Sequence, residues 1–223
     1  MFWKTDDEFN SDHRTDRKNN TMKICINCGS SPGADEMYGR AARQLGRYLA
    51  EHRISLVYGG ADVGLMGYVA DAALEAGGNV TGVITETLAE KVRHESLTEL
   101  IIVATMHERK MKMFELADGF MALPGGLGTL DELFEVMTWA QLGIHAKPVG
   151  LLNIGNYFGK LLDFLDYGVE QRFIPEAHRN MLLVDEDPAA LIDKFASYKA
   201  PIIDNWIDRG GGIAYPEFTP RPL

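Results

Sequence analysis

Short apolar runs alternate with longer amphipathic segments along most of the chain. The runs are rich in Ile, Val and Leu, and they lie at 22–28, 54–58, 80–84, 99–104, 119–123 and 148–153, with a weaker run at 181–184. Most are separated by segments with helical spacing of apolar residues, at 36–52, 64–76, 106–117, 128–142 and 156–170. This alternation predicts a Rossmann-like α/β fold, with a mostly parallel β-sheet and helices on both faces.

The two ends of the chain lack this pattern. Residues 1–21 mix charges of both signs with Asn, Ser and Thr, which predicts a disordered N-terminal extension. Residues 200–223 contain a Gly210–Gly212 triplet and several prolines, which predicts an irregular C-terminal tail. We therefore expect one domain over residues 22–199, because 223 residues with 46% hydrophobic content suffice for one well-buried core.

The charge balance restricts the partners of the protein. The net charge of -10 argues against nucleic acid or an anionic membrane as the main partner. No apolar run approaches the roughly 18 residues of a membrane span, and the acidic, polar start of the chain is unlike a secretory signal. We therefore expect a cytoplasmic protein.

Cysteines and histidines offer no predicted metal site or disulfide. Cys25 and Cys28 fall in a predicted strand, where about 10 Å and opposite faces would separate them. We predict that both are small buried side chains. The stretch "HERKM" begins like a zinc-protease motif, but Met111 stands where the second histidine must be.

Three glycine-rich turns follow predicted strands: "CGSSPG" after the first, "YGGADVGLMG" after the second and "LPGGLGT" after the fifth. Each alone could be an ordinary turn, but ligands bind at the carboxyl ends of parallel strands, where helix N-termini attract phosphate. The three turns together predict a phosphate or nucleotide site. A dinucleotide fingerprint is excluded because Asp131 stands where glycine or alanine is needed, and no turn has the Gly-Lys-Ser/Thr ending of a P-loop.

Two pairs of polar residues near these turns allow a structural and a functional interpretation. Thr129 and Glu132 have the spacing of a helix capping box, but they also follow a turn suited to phosphate. Arg109 and Lys110 fall in the first turn of a predicted helix, where positive charge opposes the helix dipole. They could form a solvated face or pair with Glu108, or Arg109 could reach a ligand at the neighbouring fifth-strand turn.

Four stretches together resemble a known family: "CGSSPG", "LVYGGADVGLMG", "MHERK" and, above all, "PGGLGTLDE". They are similar to LONELY GUY cytokinin riboside 5'-monophosphate phosphoribohydrolases, some of which have been labelled lysine decarboxylases. The resemblance covers about residues 22–175, including "TWAQLGIHAKPVGLLN". The chain departs from the family pattern at Ala61, where glycine is common, and at Thr85, where proline is usual.

The resemblance implies hydrolysis of the N-glycosidic bond of AMP or an N6-substituted AMP, such as a cytokinin riboside monophosphate, to free base and ribose 5-phosphate. It implies Arg109 and Glu132 as catalytic residues and Gly125 through Thr129 as the phosphate loop. No metal or organic cofactor is needed. The predicted substrate-binding residues are Gly29, Ser30, Gly59, Gly60, Glu90, Met106, Lys110, Pro124, Gly125, Gly126, Leu127, Gly128, Thr129 and Thr138.

Two further expectations concern catalysis and assembly. Related Rossmann-like carriers share the glycine motif, so a nucleotide- or cofactor-carrying module without chemistry is the alternative function. The joint presence of Arg109 and Glu132 favours an enzyme. The predicted helix at 128–142 carries more apolar residues than one core-facing stripe needs, and the family is dimeric, so we expect a homodimer.

Overall fold

The structure of the protein is a computed structural model that describes residues 21–201. The predicted N-terminal extension and C-terminal tail therefore lie almost wholly outside the described residues. Seven strands form one sheet in the order β4-β3-β2-β1-β5-β6-β7, and every neighbouring pair is parallel. The strands are β1 (Lys23–Asn27), β2 (Ser55–Tyr58), β3 (Val80–Thr85), β4 (Glu99–Val103), β5 (Gly119–Ala122), β6 (Val149–Leu152) and β7 (Leu182–Asp185).

Eight α-helices connect or follow these strands in the described part of the chain: α1 (Glu36–Glu51), α2 (Gly64–Glu75), α3 (Glu86–Val92), α4 (Met106–Leu116), α5 (Leu127–Gln141), α6 (Gly159–Glu170), α7 (Glu176–Arg179) and α8 (Pro188–Ser197). One face of the sheet packs against apolar residues of α1, α2 and α8, and the other against those of α4, α5 and α6. The predicted Rossmann-like α/β fold is confirmed.

The two cysteines illustrate this layering. Cys25 belongs to the cluster under α4 and α5, whereas Cys28 belongs to the cluster under α1 and α2. Both thiols are free and buried. The prediction that they point to opposite faces of the sheet and form no disulfide is confirmed.

The structure adds three helices to those predicted, α3, α7 and α8. The first two have seven and four residues, too few for an apolar period to be visible. In contrast, α8 carries a recognisable start signal, because Asp187 accepts a hydrogen bond from Ala190 N–H and Pro188 follows it. Helix α6 starts three residues later than predicted, at Gly159, because residues 154–156 form a short 3-10 turn.

The strand order brings the three glycine-rich turns together. Strand β1 lies between β2 and β5, so the turns that follow these three strands share one edge of the sheet. Gly29 N–H donates to the Pro124 carbonyl at 3.1 Å, and Leu65 N–H donates to the Gly29 carbonyl at 3.0 Å. The first turn is therefore hydrogen-bonded to both of the others.

Candidate active site

The first and fifth-strand turns line an open cavity of about 310 Å³ at the carboxyl edge of the sheet. Predicted binding residues Gly29, Ser30, Pro124, Gly125 and Gly126 contribute to its wall. Two aromatic rings complete it, Tyr38 from α1 and Tyr157 from the segment after β6. The cavity thus combines exposed backbone with amphipathic rings, which suits a small polar ligand.

The glycine loop between β5 and α5 is tightly packed. A Cβ at Gly125 would overlap the Thr129 hydroxyl and would approach Gly29 N, so only glycine fits between these two turns. Helix α5 begins at Leu127 with Gly126 as its N-cap, and no side chain caps it. Thr129 is therefore a buried residue inside the first turn. The capping-box interpretation of Thr129 and Glu132 is wrong, because the helix starts before Thr129.

Glu132 instead pairs with Arg109 across the seam between α5 and α4. Arg109 Nη1 donates to Glu132 Oε1 at 2.8 Å, and Arg109 Nε donates to the Val83 carbonyl at 2.9 Å. A Cβ at Gly59 would overlap the Arg109 guanidinium, so the second glycine turn makes room for this side chain. Arg109 is buried, and the interpretation of it as part of a solvated face is wrong.

A capping arrangement related to the capping box lies at the start of α4, with Thr105 as the N-cap residue. The Thr105 hydroxyl accepts from Glu108 N–H, and Glu108 Oε2 accepts from Ala104 N–H at 3.0 Å. Glu108 is therefore engaged with the backbone rather than with Arg109. This capping fixes the first turn of the helix that carries Arg109 and Lys110.

Burial and charge act in opposite directions on Glu132. Burial raises the pKa of its carboxyl group above 4.5, while the charge and hydrogen bond of Arg109 lower it; burial prevails. For Lys110, burial lowers the pKa, but hydrogen bonds to Glu135 and Asp131 outweigh it and raise the pKa overall. Lys110 is therefore a stable cation held by two carboxylates of α5.

The other predicted binding residues fall into two groups. Gly60 adjoins Gly59 in the second turn, Met106 contacts Arg109 through its sulfur at 3.5 Å, and Leu127 and Gly128 lie exposed in the first turn of α5. Glu90 has an exposed side chain on α3. These positions surround the two catalytic candidates along one edge, with Glu90 on a separate short helix.

Thr138 lies apart from this edge within the protomer. It is six residues after Glu132, which at about 100° per residue places it about 120° around α5 from Glu132. Its hydroxyl donates to the Phe134 carbonyl at 2.7 Å, and it lines a second cavity of about 100 Å³ between α5, α6 and α7. The structure therefore does not bring Thr138 together with Arg109 and Glu132.

Tyr157 is a site residue that the sequence analysis did not identify. Its hydroxyl donates to the Gly125 carbonyl at 2.7 Å, and its ring packs edge-on against Tyr38 with 5.8 Å between centroids. The sequence did contain a signal for this position. Tyr157 follows β6, the strand next to β5, so it lies at the same edge of the sheet as the glycine loop.

A cluster of Asp62, Asp71 and His94 is the group within residues 21–201 whose spacing resembles a metal site. His94 Nδ1 accepts from Ser96 N–H, so the neutral ring carries its proton on Nε2 and donates it to Asp71. Neither nitrogen then has a free lone pair for a metal. His94 N–H also donates to the Gly60 carbonyl, so this cluster tethers the segment after α3 to the second glycine turn.

None of the described helices is long and apolar enough to span a bilayer.

Comparison with known proteins identifies relatives that share most of the chain. Residues 66–195 match the family model described as "Possible lysine decarboxylase". Cytokinin riboside 5'-monophosphate phosphoribohydrolase LOG5 of Arabidopsis thaliana is 47% identical over 191 residues, covering 85% of this chain and 83% of its own. Probable cytokinin riboside 5'-monophosphate phosphoribohydrolase LOGL9 of Oryza sativa subsp. japonica is 49% identical over 177 residues, covering 79% and 78%.

Among solved structures, the molybdenum cofactor binding protein of Rippkaea orientalis has a TM-score of 0.62 at 22% identity, covering 80% of this chain and 97% of its own. The Moco carrier protein of Chlamydomonas reinhardtii has a TM-score of 0.61 at 22% identity, covering 80% and 99%. At this identity the likeness shows a shared fold alone. The sequence relatives are far closer, and the chain belongs to the LONELY GUY family of cytokinin riboside 5'-monophosphate phosphoribohydrolases.

Proposed function

We propose that the protein hydrolyses the N-glycosidic bond of cytokinin riboside 5'-monophosphates or of AMP, releasing the free base and ribose 5-phosphate. The observation that carries this proposal is the buried Arg109–Glu132 pair beside three joined glycine turns. In this proposal the nucleotide phosphate binds at the glycine turns, and the sugar and base extend toward the paired charges.

Glu132 acts on the ribose in this proposal. Cleavage of an N-glycosidic bond builds positive charge on the sugar, as in glycoside hydrolysis, so a nearby carboxylate stabilises the transition state. The same carboxylate orients or deprotonates the attacking water. Arg109 holds Glu132 in place through its 2.8 Å contact and offsets negative charge on the departing base or on the phosphate.

The glycine loop and Thr129 hold the phosphate. The N-terminus of α5 has no side-chain cap, so its free N–H groups and its dipole favour an anion there. Binding energy from the phosphate, which does not react, then orients the bond that breaks. Gly29, Ser30, Gly59, Gly60, Met106, Pro124, Leu127 and Gly128 complete the proposed pocket, together with Glu90, Lys110 and Thr138 as expected contacts.

The decarboxylase description fits the site poorly. Decarboxylation of an amino acid normally relies on a lysine that forms a Schiff base with pyridoxal phosphate, and such a lysine must lose its proton. Lys110 adjoins the site, but its ion pairs with Asp131 and Glu135 hold it as a cation. The chemistry of Lys110 therefore favours a structural role.

We further propose a homodimer, because large apolar side chains are exposed on neighbouring elements. These are Phe134 on α5, Leu142 and Ile144 after it, Phe164 and Tyr167 on α6, and Phe173 after α6. Exposed large apolar side chains that cluster on consecutive elements are typical of an interaction site. The wild type should sediment as a dimer at micromolar concentration and Phe164→Asp should shift it toward monomer, whereas a monomeric wild type contradicts the proposal.

The decisive experiment is to incubate the purified protein with AMP and with isopentenyladenosine monophosphate and to follow the free base by chromatography. Glu132→Ala serves as the matched inactive control. Base release by the wild type alone supports the proposed hydrolysis and ranks the two substrates. If both nucleotides bind and neither is cleaved, the carrier function replaces the proposed hydrolysis.

A further inference from the structure

A small, partly open cavity of about 20 Å³ lies directly beside Glu132, between the sheet and the helices α4 and α5. Its polar wall consists of Asn27, Lys110, Glu132 and Glu135, and the rings of Phe114 and Phe120 form much of the rest. This volume exceeds the roughly 10–15 Å³ that one water molecule needs, and the wall offers the two to four polar partners that hold a buried water.

Asn27 is the unusual member of this wall. It is the last residue of β1 and is buried, in a strand whose other inward side chains are apolar or small. Its Oδ1 accepts from the Cys25 thiol at 3.4 Å, a weak donor, and its amide nitrogen makes no hydrogen bond to another described residue. An amide N–H group at a cavity wall that has no protein partner is normally hydrogen-bonded to water.

Glu132 has a matching unused atom. Its Oε1 accepts from Arg109, while its second carboxylate oxygen has no partner among residues 21–201. Asn27 and Glu132 line the same cavity, so one molecule there reaches both. Water is the ligand that fits, because it accepts from the amide N–H and donates to the carboxylate.

We propose that this cavity binds one water molecule that Asn27 orients against Glu132, which makes Asn27 a positioning residue for the hydrolysis. The inference rests on the proposed role of Glu132 as the carboxylate that acts on the ribose. The water replaces part of the solvation that Glu132 loses by burial and keeps the carboxylate ionised and aligned.

The ionisable groups around Glu132 are the same with or without Asn27. They are Arg109 and Lys110 from α4, Asp131 and Glu135 on α5, and the thiols of Cys25 and Cys28 beside β1, whose pKa values burial raises so that they remain neutral. A change confined to Asn27 therefore alters the solvation of Glu132 without removing a charge.

The first test is the pH dependence of kcat in Asn27→Leu, which has a similar volume but cannot hold water. Glu132 must be ionised to act, so activity falls as pH drops through its pKa. We expect the acidic limb of the Asn27→Leu pH profile to move to higher pH by about one unit. At pH values below the acidic limbs of both proteins, this shift lowers kcat about tenfold relative to the wild type, with little change in KM. Asn27→Ser keeps a polar group and room for water, so its limb should stay near that of the wild type.

The second test does not depend on activity. A high-resolution crystal structure of the wild type should contain a water within hydrogen-bond distance of Asn27 and Glu132, and that of Asn27→Leu should not. Should Asn27→Leu fail to fold, Asn27→Val takes its place. A dry cavity in the wild type, or superimposable pH limbs for the apolar variant and the wild type, overturns the inference. If the wild type cleaves no nucleotide, the proposed function fails, and the crystallographic water alone decides the hydration site.

Discussion

Two ion-pair systems join α4 to α5 one residue apart, yet their surroundings differ. Arg109 meets Glu132 at 2.8 Å, with side chains only 9% and 17% exposed. Lys110 meets Asp131 at 3.2 Å and Glu135 at 3.0 Å, and Asp131 is 61% exposed. Consecutive residues of the same helices thus build one interior pair at the edge of the sheet and one cluster that reaches the surface through Asp131, with Lys110 12% and Glu135 25% exposed.

The difference lies in what else each cation contacts. Arg109 also donates to the Val83 carbonyl and rests on Gly59, so two strand ends hold it against the glycine turns. The hydrogen bonds of the Lys110 side chain go to α5 alone. A buried ion pair costs desolvation energy that its attraction often fails to offset, so the Arg109–Glu132 pair is weak evidence for stability and better evidence for function.

The largest expected effect comes from Glu132→Gln. The substitution preserves shape but removes the charge that stabilises the developing cation and handles the water, so kcat should fall by about 10²–10⁴. Release of free base from the preferred nucleotide monophosphate measures it. Asp131→Asn, one residue away on the exposed pair, is the matched control and should remain within a few-fold of the wild type. Equal losses of kcat in both variants would contradict the assignment of different functions to the two ion-pair systems.

Gly59→Ala should have the next largest effect. Its new Cβ overlaps the guanidinium of Arg109, so the arginine must shift away from Glu132 and Val83. A misplacement of about 1 Å at a reacting group costs about 100-fold in rate, and we expect a fall of that order in kcat. Gly77→Ala has open space around the new Cβ but a φ of 77°, a backbone strain that Gly59→Ala does not carry, and this control should leave kcat unchanged. Unaltered kcat in Gly59→Ala would show that the position of Arg109 is not critical.

These contrasts also show where sequence reasoning succeeds. Continuous apolar runs predicted the bounds of all seven strands to within two residues. Helices cover both faces of the sheet, so the strands have no polar face that would interrupt the apolar pattern. The convergence of the glycine turns followed from the rule that ligands bind at the carboxyl ends of parallel strands. The role of Glu132 came from family resemblance, since a residue 23 positions after Arg109 reveals nothing of their contact by spacing.

The failures have equally local causes. Thr129 and Glu132 imitate a capping box, and only the actual helix start at Leu127 shows that Thr129 is not the cap. Asn27 escaped notice because one polar residue in an apolar strand has no periodic signature. Thr138 was carried over by position, and because it lies about 120° around α5 from Glu132 within the protomer, its role as a substrate contact stays a prediction. In each case three-dimensional context decides the role of the side chain.

A smaller effect is expected for Tyr157→Phe. The phenol donates to the Gly125 carbonyl at 2.7 Å and thereby fixes the loop whose N–H groups face the cavity. Losing one hydrogen bond costs about 0.5–1.5 kcal/mol, so KM should rise by about 2- to 10-fold while kcat changes little. Tyr48→Phe on α1, outside both the loop cavity and the proposed dimer surface, provides the tyrosine control. A fall in kcat without a change in KM would instead place the hydroxyl in the chemical step.

The smallest effect should come from Lys110→Met, which tests the more exposed of the two ion-pair systems. Methionine keeps the apolar stem of the lysine but abolishes both ion pairs with α5. Partly exposed pairs contribute only about 0–1 kcal/mol each, so the loss of both should lower the free energy of unfolding by about 2 kcal/mol or less, measured by urea denaturation. At pH values well above the pKa of Glu132, activity should stay within about threefold, because the Arg109–Glu132 contact is untouched. Loss of the Lys110 charge, which lowers the pKa of Glu132, should move the acidic limb to higher pH. A hundredfold loss of kcat with an intact fold would show that Lys110 takes part in the reaction. The functions of its carboxylate partners, Asp131 and Glu135, would then have to be tested as well.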